Sequence, residues 1–122
     1  MKTSSRKAKG RALQNHVVAK VLTSFPSLEP ADVRGAIMGE NGEDIKLSPK
    51  AKKLFNFSVE CKNQEKYKGV YDCFDQIEGH KDSSGQPLVI LKMNRKKPLA
   101  IVDLDYFFTL IQEYTENEWL VY

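Results

Sequence analysis

The sequence lacks several features that define large classes of protein. It has two cysteines and two histidines in 122 residues, and no apolar run nears the roughly 18 residues that span a membrane. We therefore expect no contact with a membrane. The basic N-terminal segment has no apolar core, so we expect no secretory signal and a cytoplasmic protein with Cys61 and Cys73 as reduced thiols. Only His16 and His80 could join them around zinc, and their spacing matches no zinc motif.

Charge of one sign is missing at each end of the chain. Residues 1–28 contain six bases and no acid, whereas the residues after Lys97 contain five acids and no base. A basic N-terminal segment suits a polyanion such as nucleic acid, although a solvated tail would have the same composition. Since a domain typically holds about 100–200 residues, we divide the chain into a flexible basic arm over 1–8 and a single domain over 9–122.

Apolar spacing predicts an α/β (α+β) fold with a mixed central β-sheet flanked by helices, in the order α-β-β-α-β-β-α. Helices are predicted from about Gly10 to Ser24, over 68–80 and from Asp103 onward. Ser48-Pro49 predicts the start of a further short helix, with serine as the N-cap. Strands are predicted around Ile45 and Leu47, over 55–62, over 87–93 and over 99–102, and the last two form a hairpin.

Two acids and a lysine lie near the ends of two predicted strands. Asp44 opens the strand that contains Ile45, and Glu60 and Lys62 close the next one. Side chains two residues apart on a strand share a face, so Glu60 and Lys62 project together, opposite Cys61. If the two strands are neighbours, the carboxylates converge in a way that suits Mg²⁺ or Mn²⁺, with a lysine to orient water. The alternative is an ordinary surface ion pair.

Six segments of the chain, together with Asp44 and Glu60-x-Lys62, resemble the PD-(D/E)XK nuclease superfamily. The similarity is closest to small phage and prophage nucleases of the Holliday-junction-resolvase type, and it covers roughly residues 9–112. Gly42-Glu43-Asp44-Ile45 stands where the proline of the superfamily's name would be. The segments are 9–14, 32–34, 42–45, 47–49, 57–65 and 94–99.

The resemblance implies a restriction-endonuclease-like core and a Mg²⁺-dependent endonuclease that hydrolyses phosphodiester bonds in DNA. Asp44 and Glu60 would bind the metal, with the carbonyl of Cys61 as a third ligand, and Lys62 would position the attacking water. Gln14 holds the position of a glutamate that many resolvases carry on the first helix. Its amide is a poorer metal ligand, which leaves the number of metal ions open.

Two further glutamines are candidate members of the same site. The resemblance suggests Gln76, on the helix after the motif, although it could equally be an exposed helix residue. Gln64 would share a face with Lys62 if the strand continues. His16 and His80 are weighed as general bases against structural or exposed roles.

The expected partner is duplex or branched DNA, with no small-molecule cofactor. Backbone phosphate contacts are expected from the arm and from two other segments, although the cluster at 95–97 could instead be a solvated turn. A junction has two symmetry-related strands, so a homodimer is expected, with Tyr114, Trp119 and Tyr122 either at its interface or packed on the core. The expected DNA contacts are Arg6, Lys7, Lys9, Arg11, Arg34, Lys92, Arg95, Lys96 and Lys97.

Three alternatives to a junction resolvase stay open at this stage. The chain could be a sequence-specific or nicking endonuclease of the homing type. It could be a DNA-binding protein with a weakened site, as Gln14 suggests, or an accessory subunit of a larger complex. Only the enzyme hypotheses predict metal-dependent cleavage.

Overall fold

Helices and short strands alternate along the chain. The computed structural model describes residues 3–63, 69–79 and 85–121. A short 3₁₀ turn at Pro30–Asp32 precedes the first strand. The elements are α1 (Thr3–Ser24), β1 (Val33–Gly35), β2 (Ile45–Leu47), α2 (Pro49–Leu54), β3 (Phe57–Asn63), α3 (Val70–Gly79), β4 (Gln86–Lys92), β5 (Leu99–Ile101) and α4 (Leu104–Val121).

Helix α1 begins earlier than the sequence predicts. It starts at Thr3 rather than near Gly10, so residues 3–8 belong to the helix. The division of the chain into a basic arm and a domain stays a prediction. Alanine, lysine and arginine in this segment favour a helix, and no proline interrupts it. Leu13, Val17 and Val21 are buried, as their helical spacing predicts.

Local sequence sets the start of two other helices. Ser48 is the N-cap of α2, since its hydroxyl accepts a hydrogen bond from the Ala51 N–H at 3.1 Å and Pro49 follows it, as predicted. The same hydroxyl donates to Asp32 Oδ1 at 2.7 Å. Asp103 begins α4 by accepting the Tyr106 N–H at 2.7 Å. Such caps satisfy N–H groups that the first helical turn leaves without partners.

The strands form two small sheets rather than the single central sheet that was predicted. Strand β1 pairs antiparallel with β2, and a mixed sheet has the order β3-β4-β5, with β3 parallel to β4 and β4 antiparallel to β5. A backbone hydrogen bond from Asp44 N to Val59 O, 2.9 Å long, links the two sheets. Strand β1 was not predicted because its three residues contain one valine and show no alternation.

Helices α1 and α3 cover opposite faces of the mixed sheet. The face under α1 holds the first cluster, with Val17, Val59 and Leu88 among its members. The face under α3 holds Cys73, Ile77 and Val89. The chain is therefore mixed α/β, in agreement with the predicted class. In the part of the chain that is described, no helix combines the length and the hydropathy that a bilayer crossing requires.

Gly85 is a position where a side chain would collide with the backbone of a neighbouring strand. A Cβ on Gly85 would lie 2.7 Å from the carbonyl carbon of Phe57 and 2.8 Å from the nitrogen of Ser58. Gly85 N also donates to the buried Ser58 hydroxyl at 3.3 Å. We expect Gly85→Ala to lower the free energy of unfolding by about 1–3 kcal/mol, measured by urea denaturation, because backbone must shift to make room.

Gly10→Ala is the matched control for that substitution. Gly10 lies inside α1, and a Cβ there meets nothing within 4 Å. Alanine should stabilise the helix by up to about 1 kcal/mol. Equal stability of the Gly85→Ala variant and the parent protein would contradict the predicted collision.

Candidate active site

Asp44 lies beside the middle of β3, held there by its backbone and its side chain. Its N–H donates to Val59 O at 2.9 Å. Its carboxylate Oδ2 accepts the Cys61 N–H at 2.7 Å, so this side chain takes the place of a neighbouring strand's carbonyl. Ala36 N donates to Asp44 O at 2.7 Å, which fixes the residue to the end of β1 as well. The position of the Asp44 carboxylate is thus set by two strands.

Glu60 and Lys62 project from β3 on the face that α3 covers. Their pairing partners on β4 are Val89 and Leu91, and Val89 packs with Cys73 and Ile77 of α3. Lys62 Nζ lies 3.9 Å from Glu60 Oε1, and the Glu60 side chain is only 12% exposed. Charged hydrogen bonds are usually about 2.8 Å long. The ammonium of Lys62 is therefore near Glu60 without being fixed to it.

Burial dominates the titration of both carboxyl groups. Burial, and then the charge of Asp44, raises the pKa of Glu60 to about 7, while Lys62 acts in the opposite direction. Burial also raises the pKa of Asp44, against the lowering effects of the Cys61 N–H, Lys62 and Lys46. Two partly buried acids with one unfixed ammonium between them are short of positive charge. A divalent cation is one ligand that would supply it.

The donors at this site fit a hydrated hard cation better than a fully protein-bound one. The described residues contain no group of three or more His, Cys, Asp and Glu side chains that could hold a metal. Mg²⁺ commonly uses one or two carboxylates and completes its coordination with water and substrate phosphate. Asp44 and Glu60 fit that requirement. The Cys61 thiol packs on the α1 face, away from Glu60 and Lys62, and burial raises its pKa to about 12.

Gln14 lies next to the end of β1 that holds Asp44. A Cβ built on Gly35 would lie 2.8 Å from Gln14 Oε1, so the amide sits directly over that glycine. Gly35 precedes Ala36, whose N–H bonds to Asp44 O. The absence of a side chain at position 35 thus leaves room for Gln14 beside the end of β1, to which the backbone of Asp44 is bonded.

The other two glutamines are not brought to the site by the described structure. Gln76 is exposed on α3, which faces the sheet with Cys73 and Ile77. Gln64, His80 and Tyr122 lie outside the described residues, and the side chain of Trp119 is not described either. A role for Gln76 stays a prediction.

Cys73 is a neighbour of the site that the sequence interpretation missed. Its thiol is buried under α3, and burial raises its pKa, with Lys62, Glu60, Asp72 and Asp44 as further charges that act on it. Tyr71, on the same helix, is 86% exposed. The spacing of Cys73 and Ile77, four residues apart, is the signal that could have identified the buried face. Both Cys61 and Cys73 are free thiols, as predicted.

Lys9 of α1 contacts the β4–β5 turn near the end of β3. Lys9 Nζ donates to Asn94 Oδ1 at 2.9 Å, and Asn63 Nδ2 donates to Lys9 O at 3.5 Å. These contacts join the first half of α1 to the turn and to the residue that follows Lys62. The other predicted DNA contacts on α1 and on the turn are exposed, namely Arg6, Lys7, Arg11, Arg95, Lys96 and Lys97.

Arg34 differs from the other predicted DNA contacts because it has an acidic partner. Its guanidinium donates to Glu40 Oε1 at 3.0 Å and to Oε2 at 2.9 Å. This bidentate ion pair, together with the hydrogen bond from the Ile37 N–H, lowers the pKa of Glu40 to about 2. The pair stabilises the β1–β2 loop, and a phosphate would have to compete with Glu40 for Arg34.

Helix α4 leaves its apolar side exposed. The sequence predicts a final helix with Tyr106, Phe107, Leu110 and Ile111 on its apolar side. Tyr106 does contact Phe57, with ring centroids 5.7 Å apart. Phe107 and Ile111 are exposed, as are Leu104, Phe108 and Tyr114. Among the described residues, the apolar side of α4 is therefore only partly covered, through Tyr106.

Comparison of the chain with protein-family models, with curated proteins and with solved structures finds no match.

Proposed function

We propose that this protein is a metal-dependent DNA endonuclease with a restriction-endonuclease-like core, selective for branched DNA. The observation that carries the proposal is the convergence of Asp44, Glu60 and Lys62 on β3. Asp44 Oδ2 accepts the Cys61 N–H at 2.7 Å, and Lys62 Nζ is 3.9 Å from Glu60 Oε1. Two carboxylates and a lysine in this arrangement are what metal-assisted hydrolysis of a phosphodiester requires.

Each residue of this group has a separate role in the proposal. Asp44 and Glu60 would hold Mg²⁺ or Mn²⁺, which when bound acidifies water and neutralises charge on phosphate. Lys62 is free of a short hydrogen bond to Glu60 and 39% exposed, so its ammonium can orient the attacking water and stabilise the charge that develops on phosphate. The Cys61 N–H holds Asp44 in one orientation, and the Cys61 carbonyl is a further candidate ligand.

The surrounding charge supports a nucleic-acid substrate. Lys9 of α1 binds Asn94 of the β4–β5 turn, and its carbonyl accepts a hydrogen bond from Asn63, one residue beyond Lys62. Arg11 of α1 and Lys96 of the turn are exposed. Contacts from such basic side chains bind phosphates without reading sequence and weaken as salt is added. We assign Lys9, Arg11 and Lys96 to backbone binding, and no zinc or helix-turn-helix module that would read a sequence was recognised.

A second candidate function is a DNA-binding protein or accessory subunit with a weakened site. Gln14 favours it, because the amide over Gly35 occupies the place of the glutamate that the resemblance leads one to expect. The elevated pKa of Glu60 argues for the enzyme, since a carboxylate kept in a partly buried, negatively charged position is costly without a cation to bind.

We also propose a homodimer in which α4 pairs with α4 of a second copy. The exposed residues Leu104, Phe108 and Ile111 recur every three or four positions, which is the spacing of a helix–helix seam. A two-fold dimer would present two sites to the two strands of a junction.

The dimer predicts a light-scattering mass twice that of the monomer. We expect Phe108→Glu to convert it to monomer, since a charge would be buried at the seam. Tyr71→Glu, at an exposed aromatic on α3, should leave the mass unchanged. A parent protein that is still monomeric at about 100 micromolar would contradict the assignment.

Cleavage of labelled four-way junction, flap, nicked and linear duplex DNA tests the function, with Mg²⁺, Mn²⁺ or chelator. Cutting of the junction or the flap that depends on metal is the expected result. Cutting of linear duplex at one position would instead indicate a sequence-specific or nicking enzyme. Binding without cleavage in either metal would favour the weakened DNA-binding protein.

A further inference from the structure

A second site lies at the same end of β3 as the carboxylates but on the opposite face. A cavity of about 360 Å³ separates α1 from the ends of β3 and β4. Asn63 and Lys92, which are the last residues of these parallel strands and pair with each other, form its floor. Ligands of open α/β sheets commonly bind beyond the carboxyl ends of the strands. The larger cavity of about 460 Å³ between α1 and β5 is mainly apolar and lacks this position.

The charges at the cavity suit an anion. Lys9 and Lys92 both line it, and none of the described residues that line it is acidic. Both ammonium groups donate to neutral oxygens, with Lys9 Nζ 2.9 Å from Asn94 Oδ1 and Lys92 Nζ 3.3 Å from Met93 O. An ammonium has three donors, so each lysine can also bind a phosphate oxygen.

The remaining walls are suited to more than a phosphate ion. Ala12, Leu13 and Pro98 provide an apolar side, and the amides of Asn63 and Asn94 provide hydrogen-bonding groups. A volume of about 360 Å³ is within the range of small-molecule sites. Apolar surface beside a few convergent polar groups is the usual character of a site that encloses an organic ligand.

Successive side chains of β3 point to opposite faces of the sheet, so the cavity and the carboxylates lie on different faces of the same strand. Glu60 and Lys62 face α3, whereas Cys61 and Asn63 face α1. Lys62 and Asn63 are adjacent at the end of β3, so the carboxylates and the cavity lie at the same end of this strand, on its two faces. The Lys9 carbonyl, 3.5 Å from Asn63 Nδ2, holds α1 against this end of the strand.

We propose that the cavity accepts one unpaired nucleotide of a DNA substrate. Its phosphate would contact the ammonium groups of Lys9 and Lys92, and its sugar and base would lie against Ala12, Leu13 and Pro98. The proposal deepens the proposed function and rests on it for the choice of DNA as ligand. A paired, stacked base cannot enter such a cavity without leaving the helix. The cavity therefore gives a physical basis for preferring branched, flapped or bulged DNA over intact duplex.

Filling the cavity without changing its charge tests the proposal. Ala12→Leu puts a larger side chain into the cavity, and Ala19→Leu makes the same change at an exposed position of α1 that does not line it. Fluorescence anisotropy in chelator would compare a duplex with the same duplex carrying one unpaired nucleotide. We expect the parent and Ala19→Leu to prefer the second DNA by about tenfold. Ala12→Leu should bind both equally, and an unchanged preference would overturn the proposal.

Titration with thymidine 5′-monophosphate, followed by the NMR signals of His16 and Asn63, identifies the ligand class. We expect saturable shifts in the parent protein and weaker binding by Lys92→Met, which keeps the cavity open if Ala12→Leu proves unstable. The same titration with inorganic phosphate gives the affinity with which the mononucleotide is compared. Equal affinity for phosphate and the mononucleotide would overturn the nucleotide assignment.

The outcomes separate this proposal from the proposed function. Binding of the unpaired nucleotide that Ala12→Leu abolishes, without cleavage in any metal, supports the cavity site and contradicts the enzyme. Metal-dependent cleavage together with an unchanged preference in Ala12→Leu supports the enzyme and contradicts the cavity site.

Discussion

Replacing Lys62 with methionine is expected to reduce metal-dependent cleavage by about 100-fold or more, while folding and DNA binding persist. Removing a single group that stabilises transition-state charge commonly costs about 10²–10³ in rate. Methionine retains much of the length of the lysine side chain and removes its charge. The Lys62 side chain is 39% exposed and makes only a 3.9 Å contact with Glu60 Oε1, so little packing is lost. The measurement is the single-turnover rate on the preferred DNA of the panel, in saturating Mg²⁺.

Lys46→Met is the matched control for this variant. Lys46 also lies near Asp44 and lowers its pKa, but its ammonium donates to Asn41 O at 2.6 Å and supports the β1–β2 loop. Loss of Lys46 should therefore change the rate by less than about tenfold. Comparable rates for Lys62→Met and the parent protein would rule out the assigned role of Lys62. Equal losses in both variants would indicate a general effect of positive charge rather than a positioned group.

The sequence predicts the strand that carries Glu60 and Lys62 more readily than the distant residues that pack beside this strand. Alternating apolar residues predict β3, and this pattern alone separates Glu60 and Lys62 from Cys61. The Ser48-Pro49 start of α2 and the hairpin of β4 and β5 are equally local signals, and the structure has them. Each depends on residues within about ten positions of one another, where propensity and periodicity are strongest.

Contacts between distant residues explain what the sequence did not predict. Asp44 Oδ2 reaches the Cys61 N–H across 17 positions of the chain, and Lys9 Nζ reaches Asn94 across 85. Arg34 has the character of a phosphate-binding residue in the sequence, yet Glu40 binds it. Neither composition nor spacing reports such pairings, since they follow from how the sheets and α1 pack together.

Helix α4 shows a different limit of pattern-based prediction. Its apolar residues have helical spacing, which predicts a buried face but does not specify what buries it. In the single chain, Leu104, Phe107, Phe108 and Ile111 stay exposed. Periodicity describes one side of an interface and does not say whether the core or another chain covers it.

Glu60→Gln is expected to stabilise the metal-free protein at pH 8 by about 2–3 kcal/mol while it abolishes cleavage. Burial and the charge of Asp44 raise the pKa of Glu60 from 4.5 to about 7 in the folded chain. The folded state therefore binds the Glu60 proton more tightly than the unfolded state does. The resulting stability is fully present below pH 4.5 and is lost as pH rises to about 7, by about 3 kcal/mol in total.

Glutamine has nearly the shape of the protonated acid and carries no charge at any pH. Urea denaturation in chelator should consequently show little difference between the parent and Glu60→Gln at pH 4.5, and a difference that grows toward pH 8. Glu78→Gln, at an exposed residue of α3, should change stability by less than about 0.5 kcal/mol at both values. A parent protein that gains stability relative to Glu60→Gln as pH rises would contradict the buried, negatively charged environment assigned to Glu60.

Magnesium adds a readout on the same two proteins that does not depend on activity. A cation that binds only the folded state raises its stability in proportion to the logarithm of its concentration above Kd. Mg²⁺ should thus recover stability in the parent at pH 8 and have no effect on Glu60→Gln, because the variant has lost one of two carboxylate ligands. A carboxylate that lowers the stability of the metal-free protein, and whose presence lets Mg²⁺ raise that stability, behaves as a metal ligand. An equal response of both proteins to Mg²⁺ would mean that the cation binds elsewhere and that Glu60 is not its ligand.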